Sequence, residues 1–119
     1  MRVLRRSKLS GIGTHDGLQL DDGTVIDLTQ DEGIQLRSMD AFSQGRTVIV
    51  VRTIDRQLYW SVMSNVRRAL FERRPYHVTD WNCERFVNWL ICEPPESHSV
   101  NGWAIVTVVA MVAAFALRA

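Results

Sequence analysis

Cysteine and proline are scarce in this 119-residue chain, which has two cysteines and three prolines. Cys83 and Cys92 are spaced like neither a zinc site nor a CxxC redox pair. The first residues, MRVLRRSK, lack the apolar run of a cleaved secretory signal. We therefore expect a reducing cytosol around the polar part of the chain, in which a thiol stays free. No metal and no organic cofactor is indicated.

An excess of charge of one sign is also lacking, because the formal net charge is +1 at pH 7. Basic residues are not interleaved with aromatic ones in the way that tracks single strands, so nucleic acid is not an expected partner. There is no internal repeat. The length leaves room for one domain and little more.

The β-structure is predicted from turn signals and alternation. Residues 15–20 and 24–28 flank Asp21-Asp22-Gly23 and read as a hairpin. Residues 29–46 are polar and irregular, and we expect a loop with short elements there. Residues 47–53 (TVIVVRT) form a continuous β-branched run, which is typical of a buried strand.

Two helices follow in the pattern, so the predicted fold class is α+β, a small antiparallel sheet packed on helices. Residues 55–74 place apolar side chains on one face and end at Pro75. A second helix is expected to begin with Asp80 as N-cap, which puts Cys83 at the third helical position, and to stop at Pro94-Pro95. The apolar positions are Leu58, Val62, Val66, Ala69 and Leu70 in the first helix, and Phe86, Val87, Leu90 and Ile91 in the second.

Cys83 has an unusual setting, because TDWNCERFVNWL surrounds it with Asp80, Asn82, Glu84 and Arg85. A thiolate in the first turn of a helix is stabilised by the helix dipole and by free amide hydrogens. The same amides can serve as an oxyanion hole. The alternative is a small apolar residue on the inner face of the helix. Cys92 lacks this setting, and we interpret it as structural.

A nucleophilic cysteine needs a base, and the chain has three histidines, His15, His77 and His98. His77 is near Cys83 in sequence, but a base usually approaches a helix N-terminus from a neighbouring strand. Each histidine alone is more often a satisfied surface or core group than a catalyst. The residues by themselves leave the choice open.

The stretch YHVTDWNCERFVNWL resembles the signature of the lecithin:retinol acyltransferase-like family, whose nucleophile lies in an Asn-Cys-Glu-His-Phe-Val motif after an upstream tyrosine. Arg85 replaces the usual histidine of that motif. A second family motif resembles THDGLQLDDGTVIDL, with His15 at the base position and Asp27 where a second histidine is usual. Downstream, PPESHSV is similar to the closing segment of the family. The matching positions around the cysteine are Tyr76, Asn82, Cys83, Glu84, Phe86 and Val87.

The resemblance implies a circularly permuted papain-like thiol hydrolase of the phospholipase A/acyltransferase type. Members attack an acyl ester, usually of a phospholipid, and carry the acyl group as a cysteine thioester to water or to an amine or alcohol. It implies that Cys83 is the nucleophile and His15 the general base and then general acid. Asp27 would orient the imidazole, since a carboxylate is a sound third member. The alternative is a dyad, with Asp27 only a residue at a strand end.

The carboxy-terminal stretch WAIVTVVAMVAAFAL, residues 103–117, is apolar and uncharged. As a helix it spans about 22 Å, short of the roughly 30 Å hydrocarbon core. Counting from Val100 to Ala119 approaches the needed length, so the tail is either a short span or a helix held partly in the interface. Trp103 and Arg118 suit interface anchors. We therefore expect a thiol acyltransferase-like domain in residues 1–100 and a single-pass membrane tail anchor in residues 101–119, with the domain facing the cytoplasm. A buried core helix is the alternative.

The basic residues near the amino terminus have two interpretations, attraction to anionic lipid headgroups or a solvated face. These residues are Arg2, Arg5, Arg6 and Lys8.

Three functions are compatible with these observations. The first is a membrane-associated, cysteine-dependent phospholipid acyl hydrolase or acyltransferase that works through a Cys83 thioester. The second is a papain-like thiol amidase or peptidase. The third is a catalytically silent membrane adaptor that retains the fold.

Overall fold

A computed structural model describes residues 1–8 and 13–93, which form an α+β structure. Five strands make one open antiparallel sheet in the order β4-β3-β2-β1-β5. The elements in chain order are β1 (Arg2–Ser7), β2 (Thr14–Gln19), β3 (Val25–Thr29), β4 (Gly33–Arg37), α1 (Met39–Ser43), β5 (Ile49–Thr53), a 3-10 turn (Arg56–Leu58), α2 (Tyr59–Glu72) and α3 (Cys83–Leu90).

The predicted hairpin is confirmed as β2 and β3, with bounds that differ by one residue. Gly23 takes a positive φ of 91° at the turn, a conformation that side chains with a Cβ rarely adopt. The Asp22 carboxylate accepts hydrogen bonds from the backbone and hydroxyl of Thr24, at 3.0 and 2.6 Å. Turn chemistry at Asp-Gly therefore fixes the register of this pair.

Two strands had no counterpart in the sequence interpretation. β1 lies inside the sheet, between β2 and β5, although its sequence RVLRRS is half arginine. β4 and α1 occupy residues 33–43, within the stretch 29–46 for which we expected a loop with short elements of unstated type. The Ser38 side chain caps α1 by accepting from the Ala41 amide at 3.1 Å. Only Val3 and Leu4 in β1 carry an apolar signal, too little for a periodicity argument.

The strand expected over residues 47–53 is confirmed as β5, but the expectation that it is buried is wrong. Within the described part of the chain, β5 lies at the edge of the sheet and pairs only with β1, and Ile49, Val50 and Val51 are about half exposed. A run of β-branched residues fits a strand, but it does not say whether both faces are covered.

The predicted apolar face of the first helix is confirmed at its centre, where Val62, Val66 and Ala69 are buried. The helix begins later than expected. A 3-10 turn precedes α2. Asp55 caps this turn, because its carboxylate accepts a hydrogen bond from the Gln57 amide at 2.9 Å. It also ends before Pro75, at Glu72, where Arg73 adopts a left-handed conformation and its amide closes on Ala69 O at 2.8 Å.

The sheet has a core on each face. On one face α2 and α3 cover Val3, Leu18, Ile26, Leu28 and Ile34, and all four predicted apolar positions of α3 are buried there. On the other face Phe42 of α1 packs on Leu4 and Val25. The amino-terminal end of α3 is thereby held against the sheet.

The predicted tail anchor, the stop at Pro94-Pro95 and His98 lie outside the described residues. Within residues 1–8 and 13–93, no helix is both long enough and apolar enough to cross a membrane.

Candidate active site

Cys83 is the first residue of α3, which corrects the predicted helix start. The N-cap is Asn82 rather than Asp80: its backbone is extended and its side chain accepts from the Arg85 amide at 3.0 Å. Asp80 is instead held in a turn. Its amide donates to His77 Nδ1 at 3.1 Å, and His77 and Trp81 bond to each other's backbone across that turn.

Because α3 begins at Cys83, the backbone amides next to the sulfur are available as hydrogen-bond donors. The Arg85 amide donates to the side chain of Asn82, and the Phe86 amide donates to the backbone carbonyl of Asn82. Among the described residues, no hydrogen bond uses the amides of Cys83 or Glu84. Two free donors at the positive end of a helix are suited to a developing oxyanion.

His15 and Asp27 form a buried pair. His15 lies on β2 and Asp27 on β3, and the imidazole Nε2 is 2.8 Å from Asp27 Oδ2. Asp27 is 1% exposed and His15 is 6% exposed. The hairpin thus brings together two residues that the sequence analysis had selected.

Arg37 holds the other oxygen of the same carboxylate. Its Nε donates to Asp27 Oδ1 at 2.7 Å, from the neighbouring strand β4. With two cations on two oxygens, the Asp27 carboxylate is fixed in orientation. Sequence reasoning missed Arg37 because it missed β4; the alternation in GIQLR was the available signal.

Cys83 borders the same cavity as His15. Burial lowers the pKa of His15, but the hydrogen bond to Asp27 and the interaction with the Cys83 sulfur outweigh burial and raise the pKa from 6.5 to about 9. The imidazole is therefore protonated at neutral pH.

A small cavity of about 140 Å³ opens beside this pair, lined by Lys8, His15, Leu28, Thr29, Gln30, Tyr76 and Cys83. Its position follows from the β2–β3 pairing, which ends at Gly17 and Asp27. Beyond that pair β2 and β3 are no longer paired, so residues from both strands border the cavity. The helix N-terminus reaches the imidazole from there.

Phe42 and Gly17 set the position of the imidazole on its far side. The Phe42 ring lies 5.6 Å from the His15 ring, measured between centroids. A Cβ at Gly17 would lie 2.7 Å from Phe42 Cε2 and 2.8 Å from Val25 Cγ1, closer than such atoms approach. Gly17 therefore admits the ring that packs on His15. Sequence analysis gave neither residue a role.

The other candidate residues lie elsewhere or outside the described chain. His77 is exposed and its ring serves the turn before α3. Cys92 is exposed, with Asn65 Nδ2 3.4 Å from its sulfur. Of the two histidines within residues 1–8 and 13–93, His15 is the one that lines the cavity with Cys83.

Of the arginines of β1, Arg2 is exposed, whereas Arg5 and Arg6 are bonded within the fold. Arg5 makes a bidentate pair with Asp16, at 2.7 and 3.0 Å. Arg6 is 7% exposed and donates Nε to Phe42 O at 2.6 Å.

No protein-family model, no curated protein and no solved structure matches this chain. Within the described part of the chain, no cluster of histidine, cysteine and carboxylate side chains is arranged to hold a metal ion.

Proposed function

We propose that this chain is a cysteine-dependent acyl hydrolase or acyltransferase that acts on phospholipid esters, with a permuted papain-like arrangement of its site. The observation that carries the proposal is that Cys83 and His15 line one cavity while His15 is hydrogen-bonded to the buried Asp27 at 2.8 Å. Each member has the chemistry that acyl transfer to a thiol requires. The resemblance of both motifs to the lecithin:retinol acyltransferase-like family supports the ester substrate class.

In the first half-reaction, His15 is protonated, because its pKa is raised to about 9. The Cys83 thiolate attacks the ester carbonyl carbon, and the amides of Cys83 and Glu84 stabilise the oxyanion. The carbon–oxygen bond to the glycerol then breaks. His15 Nδ1 gives its proton to the leaving alkoxide, which departs as the lysophospholipid alcohol.

In the second half-reaction, neutral His15 is the base. It takes a proton from water, or from an acceptor amine or alcohol, as the oxygen or nitrogen attacks the thioester carbonyl. The carbon–sulfur bond breaks and returns the thiolate beside a protonated imidazole. Asp27 stabilises that charged imidazole in both states that carry it.

Membrane attachment is part of the proposal. The apolar segment 103–117 would hold the domain at the interface where its ester substrate lies and raise the effective substrate concentration. The polar domain would face the cytoplasm, where a free thiol persists.

The test is an assay of purified full chain on phosphatidylcholine vesicles, with fatty acid and lysophospholipid quantified by mass spectrometry. Cys83→Ala should reduce product formation by at least 10³-fold, as removal of a nucleophile does. Cys92→Ala is the matched control and should retain activity, because its sulfur does not border the cavity.

A peptide library and a panel of acylated amines are assayed in parallel. Cleavage of peptides without cleavage of lipid would replace the proposal with the amidase hypothesis. No turnover of any substrate, with cellular function intact in Cys83→Ala, would favour the silent adaptor.

A further inference from the structure

The outer face of α2 carries two large aromatic side chains that the described residues leave uncovered. Trp60 is 73% exposed and Phe71 is 90% exposed. Because eleven residues make about three turns of an α-helix, the two side chains lie on one face. Ser64 and Arg67 fall between them on the same face and are also exposed. These four residues are the outer stripe of α2.

The outer stripe lies away from the core. Val62, Val66 and Ala69 are the buried side chains of α2, and they lie on the opposite side of the helix, toward the sheet. The Trp60 ring contacts the neighbouring Tyr59 ring edge to face, with 5.0 Å between centroids, and this contact leaves most of the indole in water. Two large aromatic side chains that are exposed together on one helix face are typical of a surface that a partner covers.

The charge near the outer stripe indicates the chemistry of that partner. Residues 56–74 contain five arginines and one glutamate. The glutamate, Glu72, accepts a hydrogen bond from Arg68 at 2.9 Å. The guanidinium of Arg67, in the middle of the stripe, forms no ion pair and no hydrogen bond within residues 1–8 and 13–93. This face of the domain is therefore positive, and it complements an anionic surface.

Aromatic and basic side chains together on one helix face favour a lipid surface as the partner. Tryptophan is enriched at the headgroup level of a bilayer, where its ring contacts acyl chains and its N–H contacts water. Basic side chains nearby are attracted to anionic headgroups. A helix of this kind lies in the plane of the interface with its apolar side chains inserted. α2 has 14 residues and would lie along the surface for about 21 Å.

The position of α2 in the fold gives such docking a consequence for the candidate active site. α2 and α3 cover the same face of the sheet, whereas α1 packs on the other face. The guanidinium of Arg68 lies over the Trp89 ring of α3, 5.7 Å from its centroid, so the two helices form one layer. A bilayer in contact with α2 therefore lies on the side of the sheet that carries Cys83, and α1 lies on the side away from it.

We propose that the outer stripe of α2 docks on an anionic lipid bilayer, with the Trp60 and Phe71 rings inserted among the headgroups and Arg67 beside their negative groups. The inference rests on the proposed attachment to a membrane and adds the face of the domain that contacts the lipid. It requires no acyl transfer. Docking by this face fixes the orientation of the domain on the bilayer, which a tether alone leaves free.

The test is an NMR measurement on the full chain in lipid nanodiscs, carrying Cys83→Ser so that the lipid stays intact. The discs contain phosphatidylcholine and phosphatidylserine, with a phospholipid that is spin-labelled near the glycerol end of one acyl chain. The indole N–H signal of Trp60 and the amide signal of Phe71 should broaden next to the label. The amide signal of Ala41, which is exposed on α1 at the other face of the sheet, should stay sharp. Omission of phosphatidylserine, or added salt, should weaken the broadening.

A charge variant tests the basic part of the outer stripe. Arg67→Gln should reduce the broadening at Phe71, because it removes the positive charge in the middle of the stripe. Arg2→Gln is the matched control, since it removes an exposed charge from β1, and its Phe71 signal should broaden as in the parent.

An aromatic variant tests the apolar part. Trp60→Ser combined with Phe71→Ser should leave the Ser64 amide as sharp as the amide of Ala41, because the helix loses the rings that insert. Val50→Ser is the control, since Val50 is an apolar side chain of β5 that is 48% exposed, and its Ser64 signal should stay broad. All the replaced side chains are exposed, so the changes are compatible with folding, and the unchanged remainder of each spectrum verifies this.

Broadening of Ala41 equal to that of Phe71, or a Ser64 signal that stays broad without the two rings, would overturn the inference. Broadening that is the same with and without phosphatidylserine would overturn the assignment to an anionic surface. Signals of the outer stripe that ignore the spin label but shift as more chains are loaded per disc would assign the stripe to a second copy of the chain instead. Because the measurement reads position and not turnover, it gives its answer even if the proposed activity fails.

Discussion

At the scale of single residues, Asp27 is the carboxylate on which the charge of His15 depends. Its hydrogen bond to His15 is the largest of the interactions that oppose the effect of burial and raise the pKa of His15 to about 9. Asp27→Asn removes the negative charge and keeps the side-chain shape. We expect the pKa of His15 to fall substantially, because burial then meets less opposition. A side-chain NMR titration of the imidazole measures it.

Asp80→Asn is the control for this titration, since Asp80 is exposed and lies outside the cavity. It should leave the His15 titration where it is in the parent. A His15 pKa that is the same in Asp27→Asn as in the parent would show that Asp27 does not set the charge of the imidazole.

The raised pKa also fixes the sign of a pH effect on activity. The leaving alcohol takes its proton from charged His15, which is present below a pH of about 9 and is lost above it. Activity should therefore fall on the alkaline side near pH 9, and Asp27→Asn should move that fall to lower pH. The pH dependence of kcat, measured for both proteins on one ester, tests this. A shift to higher pH in the variant would contradict it.

At the scale of elements, the start of α3 decides where the sulfur lies. Asn82 accepts from the Arg85 amide, so Asn82→Ala should lower the free energy of unfolding by about 1 kcal/mol. The first turn of the helix carries Cys83, so reaction of its thiol with iodoacetamide should slow in the same variant. Urea unfolding and alkylation kinetics measure the two effects.

Asp80→Ala is the matched comparison, because Asp80 was the N-cap expected from the sequence. Among residues 1–8 and 13–93, its carboxylate contacts only Thr79 and His77, at an exposed turn. The change should cost less than Asn82→Ala. A larger loss at Asp80 than at Asn82 would mean that the helix begins earlier than described.

Strong local signals account for the elements that could be predicted. Asp22-Gly23 and the apolar positions of α2 and α3 act through turn chemistry and helical period, and the structure follows them. The interior position of β1 and the exposure of β5 depend on which strands pair across long sequence separations. A local pattern carries no such information, and RVLRRS is an interior strand only because β2 and β5 flank it.

At the scale of the whole molecule, the site joins a hairpin near the amino terminus to a helix near the end of the described chain. Sequence analysis selected Cys83, His15 and Asp27, but it took a resemblance to choose His15 over His77. Arg37, Phe42 and Gly17 were not foreseen, because their roles arise only when β4 and α1 fold onto the hairpin. Tertiary contacts, not motifs, supply the groups that hold the imidazole.

The proposed reaction requires that the Cys83 sulfur becomes acylated with the help of His15. Intact-protein mass spectrometry after brief incubation with phosphatidylcholine vesicles measures this acylation. The wild-type chain should gain one acyl-sized mass that hydroxylamine removes, Cys83→Ser should gain none that hydroxylamine removes, and His15→Ala should acylate far more slowly. A labile acyl mass that persists in Cys83→Ser, or labelling of His15→Ala at the wild-type rate, would contradict the claim.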